Sequence, residues 1–297
     1  MTISGLPPSG IQRRTGYLLT LSCPDRTGIV YAISEFLFRR DCTLVESQQF
    51  VDSDKGVFFM RVRFAAGNDD AKDIEALRTE FSDVAASFAM SWRLVDASVR
   101  QRVIIMVSKY GHCLNDLLFR ANTGELGIDV VAVVSNHPDL GGLADNYDVP
   151  FYHVPVTPQT KQAAEQGLVE LIDELDVDLT VLARYMQVLS TDLCKKLEGR
   201  AINIHHSMLP SFKGARPYHQ AYDRGVKLIG ATAHYVTGEL DEGPIIEQEV
   251  RRVDHSMSAA EVTTMGRDNE CLALARAVRW HTENRVLLHG RRTVVFK

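Results

Sequence analysis

Two rhythms of apolar and polar residues run along this chain, and one gives way to the other near residue 100. Tyr17-Leu-Leu-Thr-Leu-Ser22 is rich in strand-forming residues and ends at Cys23-Pro24-Asp25-Arg26-Thr27-Gly28, where Pro and Gly break it and a helix can begin. Ile29, Ile33, Phe36 and Leu37 then recur at helical spacing. Thr43–Val51 and Val57–Phe64 flank Asp52-Ser53-Asp54-Lys55-Gly56, a hairpin signal. A helix is predicted over 71–88, with Ile74, Leu77, Phe81, Val84 and Phe88 on one face, and a last strand over Ser91–Val95. The order βαββαβ predicts an α+β, ferredoxin-like domain over 17–98, preceded by an N-terminal tail over 1–16.

Asp96–Arg102 is a polar seam, and beyond it strands and helices alternate. Strands are predicted at Val103–Val107, Asp129–Ser135, Phe151–Val154, Leu179–Ala183 and Ala201–Ile204, and helices at Cys113–Thr123 and Lys161–Leu175. This pattern predicts an α/β, Rossmann-like domain with a mostly parallel sheet over 99–297, in which ligands gather at the carboxyl ends of the strands. Ile229–Val236 and Ile245–Val253 form a longer pair around the turn 237–244. A helix over Ala259–Asn284 and a hairpin over Val286–Phe296, turning at His289-Gly290, complete the chain.

A length of 297 residues suits two domains, at roughly 150 residues each. The net charge of 33 − 38 = −5 comes with no basic block, so a nucleic-acid partner has no electrostatic support. Five scattered cysteines (23, 42, 113, 194 and 271) include no Cys-x-x-Cys pair, which fits reduced thiols in a cytoplasm better than disulfides or a structural zinc site. The first fifteen residues hold no apolar run suited to a signal peptide, and no stretch is long enough to span a membrane. The expectation is a cytoplasmic protein without a membrane partner.

Candidate chemistry concentrates at one predicted strand end. Asn203 and His205 are two residues apart on an extended segment, so their side chains share a face and one carbonyl oxygen can meet both. Asp241 stands in Thr237-Gly238-Glu239-Leu240-Asp241-Glu242-Gly243-Pro244 between two apolar strands, where partial desolvation suits a base. An amide donor, an imidazole and a carboxylate are the parts needed to move a one-carbon acyl group. A metal reading of His205, His206, His219, His234 and Asp241 has no His-Glu-x-x-His or His-x-His pair behind it, and no metal is expected. Ser207 lacks a Gly-x-Ser-x-Gly elbow, and Cys113 has only His112 beside it, which makes both poor nucleophile candidates.

The N-terminal segment resembles ACT regulatory domains, through Cys23-Pro24-Asp25-Arg26-Thr27-Gly28-Ile29-Val30 and Phe58-Phe59-Met60-Arg61-Val62. The resemblance implies sheet pairing between subunits (a homodimer or tetramer) and an amino-acid effector near Asp25 and Gly28, or a dimerisation module that binds nothing.

The second segment resembles the formyltransferase fold that uses 10-formyltetrahydrofolate. The matching stretches are Asn203-Ile-His-His-Ser-Met-Leu-Pro-Ser-Phe-Lys-Gly214, Gly230-Ala-Thr-Ala-His-Tyr-Val236 and Leu240-Asp-Glu-Gly-Pro-Ile-Ile-Glu-Gln248. The resemblance implies Asn203, His205 and Asp241 as a catalytic trio. It places the folate against Arg184, Met186, Gln187, Val188 and Leu189 and against Val236 and Leu240. His206, Lys213 and Gly214 are candidates for a water or formyl pocket. Where relatives that act on a glycinamide ribonucleotide carry a glycine-rich phosphate loop, this chain has Ser108-Lys-Tyr-Gly-His-Cys-Leu114. It also has no C-terminal extension like that of the transfer-RNA formyltransferases.

An ACT-like segment joined to this catalytic segment, with Asn-His-His-Ser at the strand end, resembles the formyltetrahydrofolate deformylases from about Tyr17 to Phe296. That resemblance implies hydrolysis of 10-formyltetrahydrofolate to formate and tetrahydrofolate without a cofactor. The formate would supply purine biosynthesis, and the reaction would balance one-carbon folate pools. In the implied mechanism Asp241 activates water, while His205 and Asn203 stabilise the oxyanion. Two alternatives stay open: formyl transfer to a small amine, and a folate or amino-acid sensor without catalysis.

Overall fold

A computed structural model of the chain describes residues 16–67, 73–210 and 217–297. They divide into two compact units, one ending at Val99 and one beginning at Arg100. Lys213 and Gly214, and nearly all of the tail over 1–16, lie outside the described residues.

In the first unit β1 (Gly16–Pro24), α1 (Ile29–Arg39), β2 (Cys42–Asp52), β3 (Val57–Ala66), α2 (Ile74–Ser87) and β4 (Ser91–Asp96) follow in the order read from the sequence. The sheet is antiparallel throughout, with strand order β2-β3-β1-β4, the ferredoxin-like arrangement. Alternation decides which face is covered. Tyr17, Leu19 and Leu21 of β1, with Phe58, Met60, Val62 and Phe64 of β3, pack on Ile29, Ile33, Phe36 and Leu37 of α1 and on Leu77, Phe81 and Ala85 of α2. Phe81 meets Phe36 and Trp92 edge-on, each at 5.0 Å between ring centres. Gly28 takes φ +98° where the chain enters α1. Asp73 caps α2 by accepting from the Glu75 amide, so α2 starts at Ile74.

The second unit carries a seven-stranded sheet of β5 (Gln101–Val107), β6 (Ile128–Ser135), β7 (Phe151–His153), β8 (Leu179–Leu182), β9 (Ala201–His205), β10 (Leu228–Tyr235) and β11 (Ile245–Arg252). Its order is β11-β10-β9-β8-β5-β6-β7. The five strands from β9 to β7 are parallel, and β10 and β11 add an antiparallel edge. Helices bury both faces. Val103, Ile105 and Val107 of β5 face α3 (His112–Asn122) and the long α8 (Ala259–Thr282). Ile104 and Met106 face the side of α5 (Lys161–Glu174) and α6 (Thr191–Lys196). That two-sided burial is why Val103–Val107 of β5 reads as an unbroken apolar run.

The polar seam reaches into β5, since Gln101 and Arg102 are its first residues and the Arg102 amide donates to Asp178 Oδ2 (2.8 Å). Sequence periodicity missed three short helices, α4 (Gly141–Asp145), α6 and α7 (Pro217–Asp223), each too short to repeat an apolar spacing. α8 opens on a capping box, Ser258 with Glu261. The terminal hairpin pairs β12 (Val286–His289) with β13 (Arg292–Val295) around Gly290 at φ +61°. Among the described residues no helix is long and apolar enough to cross a membrane.

Candidate active site

β9 lies between β8 and β10, and its alternation sorts its side chains. Ile202 and Ile204 enter the core beneath α8, leaving Asn203 and His205 together on the opposite face. In the antiparallel register of β9 with β10, Asn203 stands opposite His234 and His205 opposite Thr232. Asn203 Nδ2 therefore lies 3.2 Å from His234 Nε2, while His234 Nδ1 lies 2.9 Å from the Tyr235 carbonyl oxygen.

The turn after β10 delivers Asp241. Two backbone features shape it. Asp241 itself sits at φ +58°, and Gly243 passes so close to β10 that a Cβ there would lie 1.7 Å from the Tyr235 carbonyl oxygen. Asp241 Oδ2 then lies 3.3 Å from His205 Nδ1, and its Oδ1 3.7 Å from His234 Nε2. Burial pushes the Asp241 carboxyl up, but hydrogen bonds and charge from His205 and His234 outweigh it and hold the group well below the usual carboxylate range. His205 is buried, and its Nε2 has no hydrogen-bond partner among the described residues. One imidazole edge thus faces a carboxylate while the other has no partner among the described residues, on the strand face it shares with Asn203.

The predicted folate residues divide into a rim and an interior. Met186, Val188 and Leu240 are large apolar side chains more than half exposed, and Gln187, Leu189 and Val236 are half-buried beside them in the chain. Ser108, at the end of β5, ties this loop down: its amide donates to the Arg184 carbonyl, and its Oγ accepts from the Met186 amide (2.9 Å). The turn of Asp241 approaches the same region, because a Cβ at Gly238 would touch Thr191 at the start of α6.

Arg184 points inward instead, at φ +67° and 9% exposed. Its Nε lies 3.5 Å from Glu270 Oε2, and its Nη1 has no hydrogen-bond partner among the described residues. Glu270, on α8, also accepts from His112 Nε2 and from the Tyr218 hydroxyl, each at 2.8 Å. Burial raises the Glu270 carboxyl, but the His112 and Tyr218 hydrogen bonds and the Arg184 charge pull it below its ordinary value. The ring of Tyr218 is reached from His205 through His206, with centroid separations of 5.2 Å and 6.4 Å. Burial, together with the Arg184 and His205 charges, lowers the His206 imidazole from its ordinary 6.5 to about 4, so it is neutral near pH 7.

Sequence reasoning missed this Glu270 cluster. The available signal was a carboxylate on the apolar face of a helix, since Glu270 shares its stripe with Gly266, Ala273, Leu274 and Ala277. The strand register also gives His234 a double contact, with Asn203 and with Asp241. His112, Cys113 and Glu270 place ligand atoms within 4.8 Å of one another. Both Glu270 oxygens are already engaged and the Arg184 guanidinium opposes a cation there. His219 is exposed. Cys113 is fully buried, and a hydrogen bond to Cys271 and then burial raise its thiol well above its ordinary value, which makes it inert as a nucleophile. Ser207 is buried, and its carbonyl accepts from Thr232.

Residues 101–278 match the formyl transferase family. The formyltetrahydrofolate deformylase of Corynebacterium sp. (strain P-1) is 55% identical over 95% of this chain and 98% of its own length. The chain belongs to the formyltetrahydrofolate deformylases. The crystal structure of the Burkholderia mallei formyltetrahydrofolate deformylase superposes with a TM-score of 0.91 at 51% identity, covering 95% of this chain and all of that one. The crystal structure of glycinamide ribonucleotide transformylase 1 from Symbiobacterium toebii aligns with a TM-score of 0.62 at 30% identity, over 67% of this chain and 95% of that one. The deformylase likeness thus spans nearly the whole chain, whereas the transformylase likeness covers only part of it.

Proposed function

We propose that this chain hydrolyses 10-formyltetrahydrofolate to formate and tetrahydrofolate through Asn203, His205 and Asp241. The observation that carries the proposal is the geometry at His205. Its Nδ1 faces Asp241 at 3.3 Å, and its buried Nε2, without a partner among the described residues, lies on the same strand face as the Asn203 amide. A formyl oxygen placed there receives hydrogen bonds from both, and one such donor is worth about 3–4 kcal/mol of barrier. The exposed Met186, Val188 and Leu240 supply apolar walls for a flat ring system at the mouth of the site.

Asp241 holds the water. At rest it is a weak base, because two imidazoles stand against it. As negative charge builds on the formyl oxygen and draws the His205 proton, that opposition weakens and Asp241 becomes able to take the proton of the attacking water. Water oxygen bonds to the formyl carbon, the C–N10 bond breaks, the proton passes to N10, and formate and tetrahydrofolate leave. No cofactor enters this sequence. His206, neutral and wedged between His205 and Tyr218, shapes the pocket and does not carry charge.

The first unit is proposed as an ACT module that assembles the chain into a homo-oligomer and takes an amino-acid effector at the β1–α1 loop. Asp25 and Gly28 are exposed there, and the Asp25 amide is pinned to the Gly56 carbonyl (2.8 Å). A cytoplasmic location and a role in supplying formate to purine biosynthesis belong to the same proposal. The test is formate release from 10-formyltetrahydrofolate with no amine present, repeated with glycine and with methionine. Formate release supports the hydrolase, and its absence overturns it. An amino-acid response that survives deletion of residues 1–99 overturns the effector assignment.

A further inference from the structure

The Glu270 cluster has no part in the mechanism above, yet it is built at considerable electrostatic cost and is linked to His205 through His206 and Tyr218. Glu270 is 1% exposed and Arg184 9%, so a buried carboxylate and a buried guanidinium are held together with His112 and Tyr218. Its four members come from separate parts of the unit: His112 from the start of α3, Arg184 from the loop after β8, Tyr218 from α7 and Glu270 from α8. Convergence of four segments on one carboxylate is hard to explain by local stability alone, since buried ion pairs add little net stability.

Helix α8 is shaped for the purpose. A Cβ at Gly266 would fall 2.2 Å from Tyr218 Cζ, so the ring lies across the helix only because residue 266 is glycine. The Tyr218 hydroxyl then reaches Glu270 one turn further on. The ring of Tyr218 faces His206, and His206 faces His205. The exposed apolar side chains of Met186, Val188 and Leu240 lie on the loop after β8 and on the Asp241 turn, whereas this buried polar assembly is reached from His205 through His206. A planar folate suits the first. The nucleophile must approach the formyl carbon from the side the folate leaves free.

We propose that His112, Tyr218 and Arg184, locked together by Glu270, form a wall on the nucleophile side that admits water and excludes amines, and so determine that this site hydrolyses and does not transfer. The inference rests on the hydrolase reading above. It makes His112 and Tyr218 specificity-determining residues that act by occupying space, and Glu270 and Gly266 the residues that position them. When the wall is opened, an amine nitrogen attacks the formyl carbon in place of water, the C–N10 bond breaks, the amine proton passes to N10, and an N-formyl amine and tetrahydrofolate result.

The experiment uses the full chain with formyl-¹³C 10-formyltetrahydrofolate and glycinamide as the probe amine, and reads the ratio of N-formyl glycinamide to formate by NMR. His112→Ala and Tyr218→Ala are compared with wild type. His112 is the more exposed member and carries the test if Tyr218→Ala fails to fold. The expected result is almost all formate from wild type, with an N-formyl fraction of about 1% or less, and at least a tenfold larger N-formyl fraction in a variant whose folate KM stays within about threefold, the signature of altered partition and not of weakened binding. Folded variants that still hydrolyse but form no more N-formyl product than wild type overturn the wall and leave the hydrolase standing. Absence of formate from wild type overturns both.

Discussion

Replacing Asp241 with Asn isolates the charge of the carboxylate proposed to activate water. Asp241 occupies φ +58°, a conformation that Asn tolerates at least as well, so the turn persists. Alanine would add backbone strain and blur the result. The carboxylate oxygens lie 3.3 Å from His205 Nδ1 and 3.7 Å from His234 Nε2. At an effective dielectric of about 20, each separation corresponds to a direct attraction of about 4–5 kcal/mol for a charged imidazole, much of it offset by desolvation. A charge-assisted hydrogen bond lost alone costs about 1.5–3 kcal/mol, or about 10- to 150-fold in rate. Loss of the proton acceptor adds a further factor on the order of 10²–10⁴. Asp241→Asn is therefore expected to lower kcat by about 10³ or more, with little change in affinity for the product tetrahydrofolate. The assay is formate release, with binding followed separately by titration. A kcat within about tenfold of wild type, or an affinity loss that matches the turnover loss, refutes the assigned role.

Asn203→Ala removes one of the two proposed oxyanion donors. It should lower kcat by about 10²–10³ while KM moves little, and steady-state kinetics showing equal losses in affinity and turnover would make Asn203 a positioning residue instead. Glu270→Ala strands the buried Arg184 guanidinium and should cost about 3–5 kcal/mol in urea unfolding, well above an exposed carboxylate. Acid stability has a calculable sign at His206. Its folded pKa of about 4 lies below the ordinary 6.5, so the unfolded chain takes up a proton that the folded chain refuses. This contribution is fully present above about pH 6.5 and is lost as pH falls toward 4, by roughly 3 kcal/mol. The lowered carboxyls of Asp241 and Glu270 act further down, losing their contribution as pH falls through their depressed folded values. Urea unfolding at pH 7 and pH 4.5 checks the His206 window, and a His206→Gln variant with an unchanged slope there refutes the assignment.

What the sequence determined alone is the part governed by local period and by spacing along one strand. The βαββαβ order, the apolar run Val103–Val107 and the placement of Asn203 and His205 on one face follow from the two-residue pitch of a strand and the 3.6-residue pitch of a helix. The short α6 was not legible because six residues are too few to show a period, although its cap, Ser190 accepting from the Leu193 amide, marks its start. Tertiary structure decided everything that depends on register and on meetings between distant segments. His234 contacts Asn203 because the β9–β10 pairing sets them opposite each other, a fact absent from either strand's own pattern. Arg184, read as a folate residue beside Met186, turns inward because its backbone takes a left-handed conformation next to a buried carboxylate 86 positions away, 270 − 184. Glu270 alone hinted at its role, as a charge on an apolar stripe. Its three partners were fixed only when four chain segments closed on one another, because a buried charge is tolerable only where the fold brings it partners.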